Sequence, residues 1–234
     1  MKLSRRSFCA CAVGASLVAR PAFGATDGCE VFTPERQSAM TPGEAIERLK
    51  EGNLRFVEGT PVNCDLMSQV HQTAGGQSPI AAIVGCIDSR VPPELVFDQR
   101  IGDVFCARIA GNFINADILG SLEYATKVAG AKAVVILGHT SCGAIKSAMA
   151  GVKMGNITGM LDNIRPALDA VIAAGQPDAS DPVQVRNVAE ANVRLAMSAV
   201  TERSPLMREL VDAGELEVAG AIHDVATGRV GWLA

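Results

Sequence analysis

The sequence predicts an α/β domain: a central, mainly parallel β-sheet flanked by helices and entered through an N-terminal helical arm. Short apolar runs at 80–84, 104–109 and 133–137 have strand length and no polar alternation, as strands buried on both faces do. Segments with helical spacing alternate with them, and cap residues mark where those helices begin. With 234 residues, nearly half of them apolar, the chain is long enough to bury one sizeable core.

The elements follow in order. Thr41-Pro42-Gly43-Glu44 is a capping box with proline at the first helical position, and Ile46, Leu49 and Phe56 continue at helical spacing up to Gly59. Strands are expected at 80–84, 104–109 and 133–137. Between the second and third lies a helix over 116–129, where Ile118, Leu122 and Ala125 form a stripe that stops at Gly130. Further helices fit 143–149, 160–173, 183–201 and 204–213, the last with Ser204 as cap, Pro205 behind it and Gly214 as stop. Residues 217–224 and 229–233 read as a strand and its hairpin return across Thr227-Gly228. The division expected is a leader at 1–25, a flexible linker at 26–40 and one catalytic domain at 41–234.

The leader reads as an export signal. Ser4-Arg5-Arg6-Ser7-Phe8 is a twin-arginine pattern, a short apolar run follows, and Ala22-Phe23-Gly24-Ala25 offers the small residues that cleavage requires. The apolar run is too short to span a bilayer. The expected location is therefore periplasmic or otherwise exported, with no membrane attachment after cleavage. Removing Lys2, Arg5, Arg6 and Arg20 takes 21 basic residues to 17 against an unchanged 25 acidic ones. With a formal charge of about −8 and scattered Lys and Arg, the mature chain has no stripe for a polyanion, which argues against a nucleic-acid partner.

Of seven cysteines, Cys29, Cys64, Cys86, Cys106 and Cys142 survive cleavage. Cys29 and Cys64 could pair in an oxidising compartment or remain small unpaired hydrophobes. Cys106, in an apolar strand, reads as packing. Cys86 and His139 each follow a glycine at the carboxyl end of a predicted strand, where open α/β sheets place their chemistry, and Cys142 opens the next helix. Two thiolates and an imidazole bind zinc tetrahedrally and leave a fourth position for water or a carboxylate. Asp88 could take that position, but Arg90 offers it a bidentate ion pair that would hold it off the metal.

Cys86-x-Asp88-Ser89-Arg90, Arg108-Ile109-Ala110-Gly111-Asn112 and Gly138-His139-x-x-Cys142-Gly143 together resemble the β-class carbonic anhydrases, in that family's order and near its spacing. The resemblance runs from about Thr41 to the C-terminus. It implies one zinc per chain, held by Cys86, His139 and Cys142, and reversible hydration of carbon dioxide to bicarbonate and a proton. It also implies that Asp88 and Arg90 are catalytic, and that Gln77, Phe105, Tyr124 and the Gly143 amide meet the substrate. Gln77, nine residues before Cys86, and Tyr124, fifteen before His139, match the open-site, plant-like branch. The other branch has a tryptophan three residues before the first zinc cysteine, where this chain has Ile83, so no inhibitory bicarbonate site is expected. A homodimer or dimer of dimers is implied, with the N-terminal helix on the partner and the pocket at the interface. A zinc protein without catalysis, closed by Asp88, is the alternative from a different class. His71 and His223 receive no role.

Overall fold

The computed structural model describes residues 29–171 and 177–233. The expected leader lies outside the described residues, as does the end of the helix expected at 160–173.

The first elements are helices α1 (Pro34–Ala39), α2 (Pro42–Glu58) and α3 (Leu66–Thr73). Strand β1 (Ala81–Gly85), helix α4 (Pro93–Val96), strand β2 (Val104–Arg108), helix α5 (Ala116–Glu123) and a π-helical turn (Tyr124–Val128) come next. They lead to β3 (Ala133–His139), α6 (Gly143–Met149), α7 (Gly155–Asp162), α8 (Arg165–Val171), α9 (Pro182–Arg203) and α10 (Pro205–Asp212). The chain finishes on β4 (Glu217–His223) and β5 (Val230–Trp232).

The sheet order is β2-β1-β3-β4-β5, parallel except for the last, antiparallel strand. Strands β1 and β3 are adjacent, with Gly85 opposite Leu137, so Cys86 and the end of β3 emerge side by side. Alternate residues of β1 and β3 go to two apolar layers. Ala82, Val84, Val134 and Ile136 pack with Leu122, Ile145, Val188 and Val193 on one face, and Ile83, Val135 and Leu137 pack with Ile46, Leu49 and Phe97 on the other. Burial on both faces explains why these strands read as unbroken apolar runs. Each fully buried Leu, Ile or Val contributes about 1.5–3 kcal/mol.

Helix α2 begins at the expected capping box: the Thr41 hydroxyl accepts from the Glu44 amide, and the Glu44 carboxylate accepts from the Thr41 amide at 2.8 Å. Gly59, at φ 69°, ends it in the left-handed region.

Two expectations are corrected. Residues 29–40 do not form a plain linker, because Thr33 caps α1 and the buried Gln37 donates to the Pro79 and Ala129 carbonyls at 2.6 and 2.8 Å. The Arg36 and Arg48 guanidinium carbons also lie 4.9 and 4.8 Å from the centre of the Phe32 ring. The helix expected at 160–173 is broken, α7 ending at Asp162 and α8 starting at Arg165. Pro166 cannot stand inside a helix, where its ring meets the preceding turn, but fits the first turn of a new one.

Cys29 and Cys64 form a disulfide with Cα atoms 5.4 Å apart, tying the α1 segment to the chain just ahead of α3. The bridge closes a loop over 35 positions, for which chain entropy gives about 4 kcal/mol. Thermal unfolding of the Cys29→Ser/Cys64→Ser double variant is therefore expected at a midpoint lower by about 8–16 °C. An unchanged midpoint would remove the bridge as a stabilising tie.

Candidate metal centre

The centre is built where β1 and β3 end. Gly138 is required just before it: a Cβ there would lie 2.7 Å from Val193 Cγ2 and 2.8 Å from Ile222 Cδ1. Strand β3 therefore runs close beneath α9 and carries His139 to the edge of the sheet. His139 Nδ1 is 2.9 Å from the Thr140 carbonyl, so it carries the proton and leaves Nε2 as an acceptor. Nε2 is buried and has no hydrogen-bond partner.

The turn after His139 is tied to β4, because the Thr140 amide donates to the His223 carbonyl and its hydroxyl accepts from the Val225 amide. Ser141 is left-handed at φ 55°, and this reversal delivers Cys142 to the N-cap of α6. The Cys142 thiol makes no capping bond, so the sulfur is free to face the centre. Cys86 Sγ, a His139 ring nitrogen and Cys142 Sγ all lie within 4.8 Å of one another, and all three residues are buried.

The donor set fits zinc: two soft thiols and one neutral imidazole whose open nitrogen otherwise has no partner. The Cys142 thiol beside Cys86 pulls the Cys86 thiol well below its usual range, and the same pairing with burial pushes Cys142 up. A divalent cation would relieve that conflict by favouring both thiolates.

Asp88 stands beside the centre, its Oδ2 3.9 Å from His139 Nε2. Arg90 grips it with a fork, Nε to Oδ1 at 2.9 Å and Nη2 to Oδ2 at 2.7 Å, and the Arg90 amide adds a third bond at 3.0 Å. Arg108 holds the backbone beneath by donating to the Cys86 carbonyl at 2.9 Å and the Asp88 carbonyl at 2.6 Å. The Arg90 guanidinium keeps the Asp88 carboxyl well below the usual carboxylate range.

A pair that depresses a folded-state pKa adds stability above the ordinary carboxylate range and loses it as pH falls through the lower, folded value. Carbon-detected NMR titration should thus find Asp88 still ionised where free aspartate is half protonated, at a pH of about 3.9. In Arg90→Gln the midpoint should return toward that value, whereas identical midpoints in both proteins would contradict the fork.

The other expected residues lie elsewhere. Gly143 directly follows Cys142, is exposed, and has nothing within 4 Å of where a Cβ would stand, so the approach to its amide is open. Phe105 and Tyr124 meet edge to face with centroids 6.5 Å apart, lining an open groove of about 830 Å³ whose walls include none of the three candidate ligands. Gln77 is exposed in the turn after α3, in a separate depression with Gly76, Ile101 and Gly102. Within one chain, then, Gln77 and the aromatic pair do not join the metal ligands.

Sequence reasoning gave no role to two contacts at the centre. The Gly111 amide donates to Cys86 Sγ at 3.4 Å, and His223 sits opposite His139 on β4, buried with both ring nitrogens unpartnered. Burial holds the His223 pKa below its ordinary value. Cys106 is half-buried, and burial pushes its thiol up, away from reactivity.

Residues 81–230 match the sequence profile of the family described as carbonic anhydrase. The chain is 35% identical over 195 residues to "Carbonic anhydrase 2" of Mycobacterium tuberculosis, covering 80% of this chain and 91% of that protein. Among solved structures it is similar to the β-carbonic anhydrase CafA of Aspergillus fumigatus, with a TM-score of 0.65, 30% identity, and coverage of 82% of this chain and 89% of that one. It is also similar to a structure from a study of two tetrameric β-carbonic anhydrases of Sordaria macrospora, with a TM-score of 0.61, 27% identity, and coverage of 72% and 90%. Fold, cysteine–histidine centre and sequence agree: the chain belongs to the carbonic anhydrase family and is an enzyme of its β class.

Proposed function

We propose that this carbonic anhydrase is a zinc enzyme of the open-site, plant-like branch that converts carbon dioxide and water to bicarbonate and a proton, working outside the cytoplasm after twin-arginine export. The observation that carries the chemistry is the buried Cys86, His139 and Cys142 group, with an unpartnered imidazole nitrogen, beside an aspartate already committed to an arginine. Zinc bound there supplies a Lewis acid that makes water a nucleophile near neutrality.

The chain's own residues do the rest. Ionised Asp88 accepts a hydrogen bond from the attacking water and aims its lone pair, while Arg90 keeps Asp88 from taking the fourth ligand position. The Gly143 amide donates to the substrate oxygen that gains negative charge. Gln77, Phe105 and Tyr124 line the substrate pocket across a contact with a second copy. Their separation from the metal ligands within one chain supports a pocket completed by a partner. So does the edge position of β2 beside exposed Tyr124 and Val128. A homodimer or dimer of dimers follows. Ile83 is fully buried in the apolar layer under α2, so no indole stands there to build an inhibitory bicarbonate site.

Export is supported by the Cys29–Cys64 disulfide, a bond that persists in oxidising compartments. No helix among the described residues is long and apolar enough to cross a membrane. The functional test compares turnover of carbon dioxide, carbonyl sulfide and carbon disulfide by one preparation. Carbon dioxide should dominate; carbonyl sulfide hydrolysis without carbon dioxide hydration would overturn the assignment.

A further inference from the structure

The Gly111 amide that donates to Cys86 Sγ at 3.4 Å belongs to the loop leaving β2. Gly111 is in the left-handed region at φ 82°, and a Cβ there would lie 2.6 Å from Ile164 Cδ1, so the position is confined to the residue with the loosest backbone. A loosely held amide makes a poor fixed donor. The Asn112 amide closes the turn locally by donating to the Ile109 carbonyl at 2.9 Å. Ile109 at the start of the loop donates its amide to the Gly85 carbonyl at 3.0 Å, and at Gly111 itself a further tie comes from Asn192, whose Nδ2 donates to the Gly111 carbonyl at 2.8 Å across 81 positions of sequence.

Asn192 is out of place on its helix. It is 4% exposed and lies on the buried face of α9 among Val185, Val188, Ala189, Val193 and Ala196. A polar amide there costs stability unless its hydrogen bonds are made. An apolar residue would serve packing equally well.

We propose that Asn192 is a positioning residue for the metal centre: it fixes the Gly111 backbone so that the Gly111 N–H stays aimed at Cys86 Sγ and withdraws charge from that thiolate. This rests on the zinc reading of Cys86. Two thiolates together cancel the charge of a divalent cation, so the electron density that each sulfur donates decides how strong a Lewis acid remains. A charge-assisted N–H···S bond lowers that donation. The line of action runs from α9 through one carbonyl and one amide to the metal-binding sulfur, with no contact between Asn192 and the metal.

The test uses Asn192→Asp, which keeps the shape and loses the donor, and Asn192→Leu, which removes the amide. Both are loaded with cobalt(II) or zinc as full chains. Cobalt must first give a sulfur-to-metal charge-transfer band in the parent that Cys86→Ser alters; failure at that step overturns the zinc reading itself. With the band in place, both variants should shift it to longer wavelength. A purely structural Asn192 would lower the melting temperature and leave the band where it was, which would overturn the proposal. Should either variant fail to fold, the parent loaded with cadmium-113 decides. Through-bond coupling between cadmium and the Gly111 amide proton is expected, and its absence would sink the idea.

Discussion

Cys142→Ser loses bound metal and hydration activity together. Apparent zinc binding at small protein sites is worth about 10–16 kcal/mol, so one of three ligands carries roughly a third, which is about 10²- to 10⁴-fold in affinity. The geometry gives serine no way to compensate. Cys142 is 1% exposed, and its position is set by the left-handed Ser141 and the start of α6. A serine hydroxyl at this N-cap is more apt to cap the helix than to ligate. Zinc per chain, measured after dialysis against a weak chelator, should fall from one toward zero as activity falls. A variant that keeps one tightly bound zinc would show the ligand assignment to be wrong.

Asp88→Ala separates the two properties, keeping zinc while losing most hydration activity. Asp88 is gripped on both oxygens by Arg90, and its backbone is held independently by Arg108, so removing the carboxylate leaves the Cys86 loop in place. On the proposed mechanism, what disappears is the acceptor that aims the attacking water, a loss of about 10- to 100-fold for a group next to a metal. Asp88→Asn should behave in the same direction, since an amide can present a donor where an acceptor is needed. Full activity in Asp88→Ala, with zinc retained, would remove this account of water orientation.

The parts of the fold that were legible are those whose cause is local. The Thr41 capping box, the Ser204 cap and the apolar runs of β1 and β3 declare themselves within a few residues, and the structure forms them there. Thr33-Pro34 carried the same kind of signal for α1 but reads weakly in a stretch with few apolar residues, and the burial of Gln37 depends on carbonyls 42 and 92 positions away. The break before α8 was written in Pro166 and masked by helical spacing through Met160, Ile164 and Leu168. The π-helical turn at Tyr124–Val128 has no comparable local mark.

The Cys86, His139 and Cys142 group was legible for a different reason: cysteine and histidine at the ends of two strands converge once those strands are neighbours, and the order β1-β3 makes them so. The Asp88–Arg90 fork needs only two residues of chain. Gly111 and Asn192 were out of reach because their roles depend on a loop and a helix that meet only in the folded chain. The one available mark was an asparagine among the valines and alanines of α9.

The measurement that tests the central claim most directly is stopped-flow carbon dioxide hydration across pH by the zinc-loaded chain, with zinc stoichiometry determined on the same sample. Rapid turnover with one zinc per chain, abolished by metal removal and restored by zinc, is the expected result. One zinc per chain with no hydration at any pH would contradict the account.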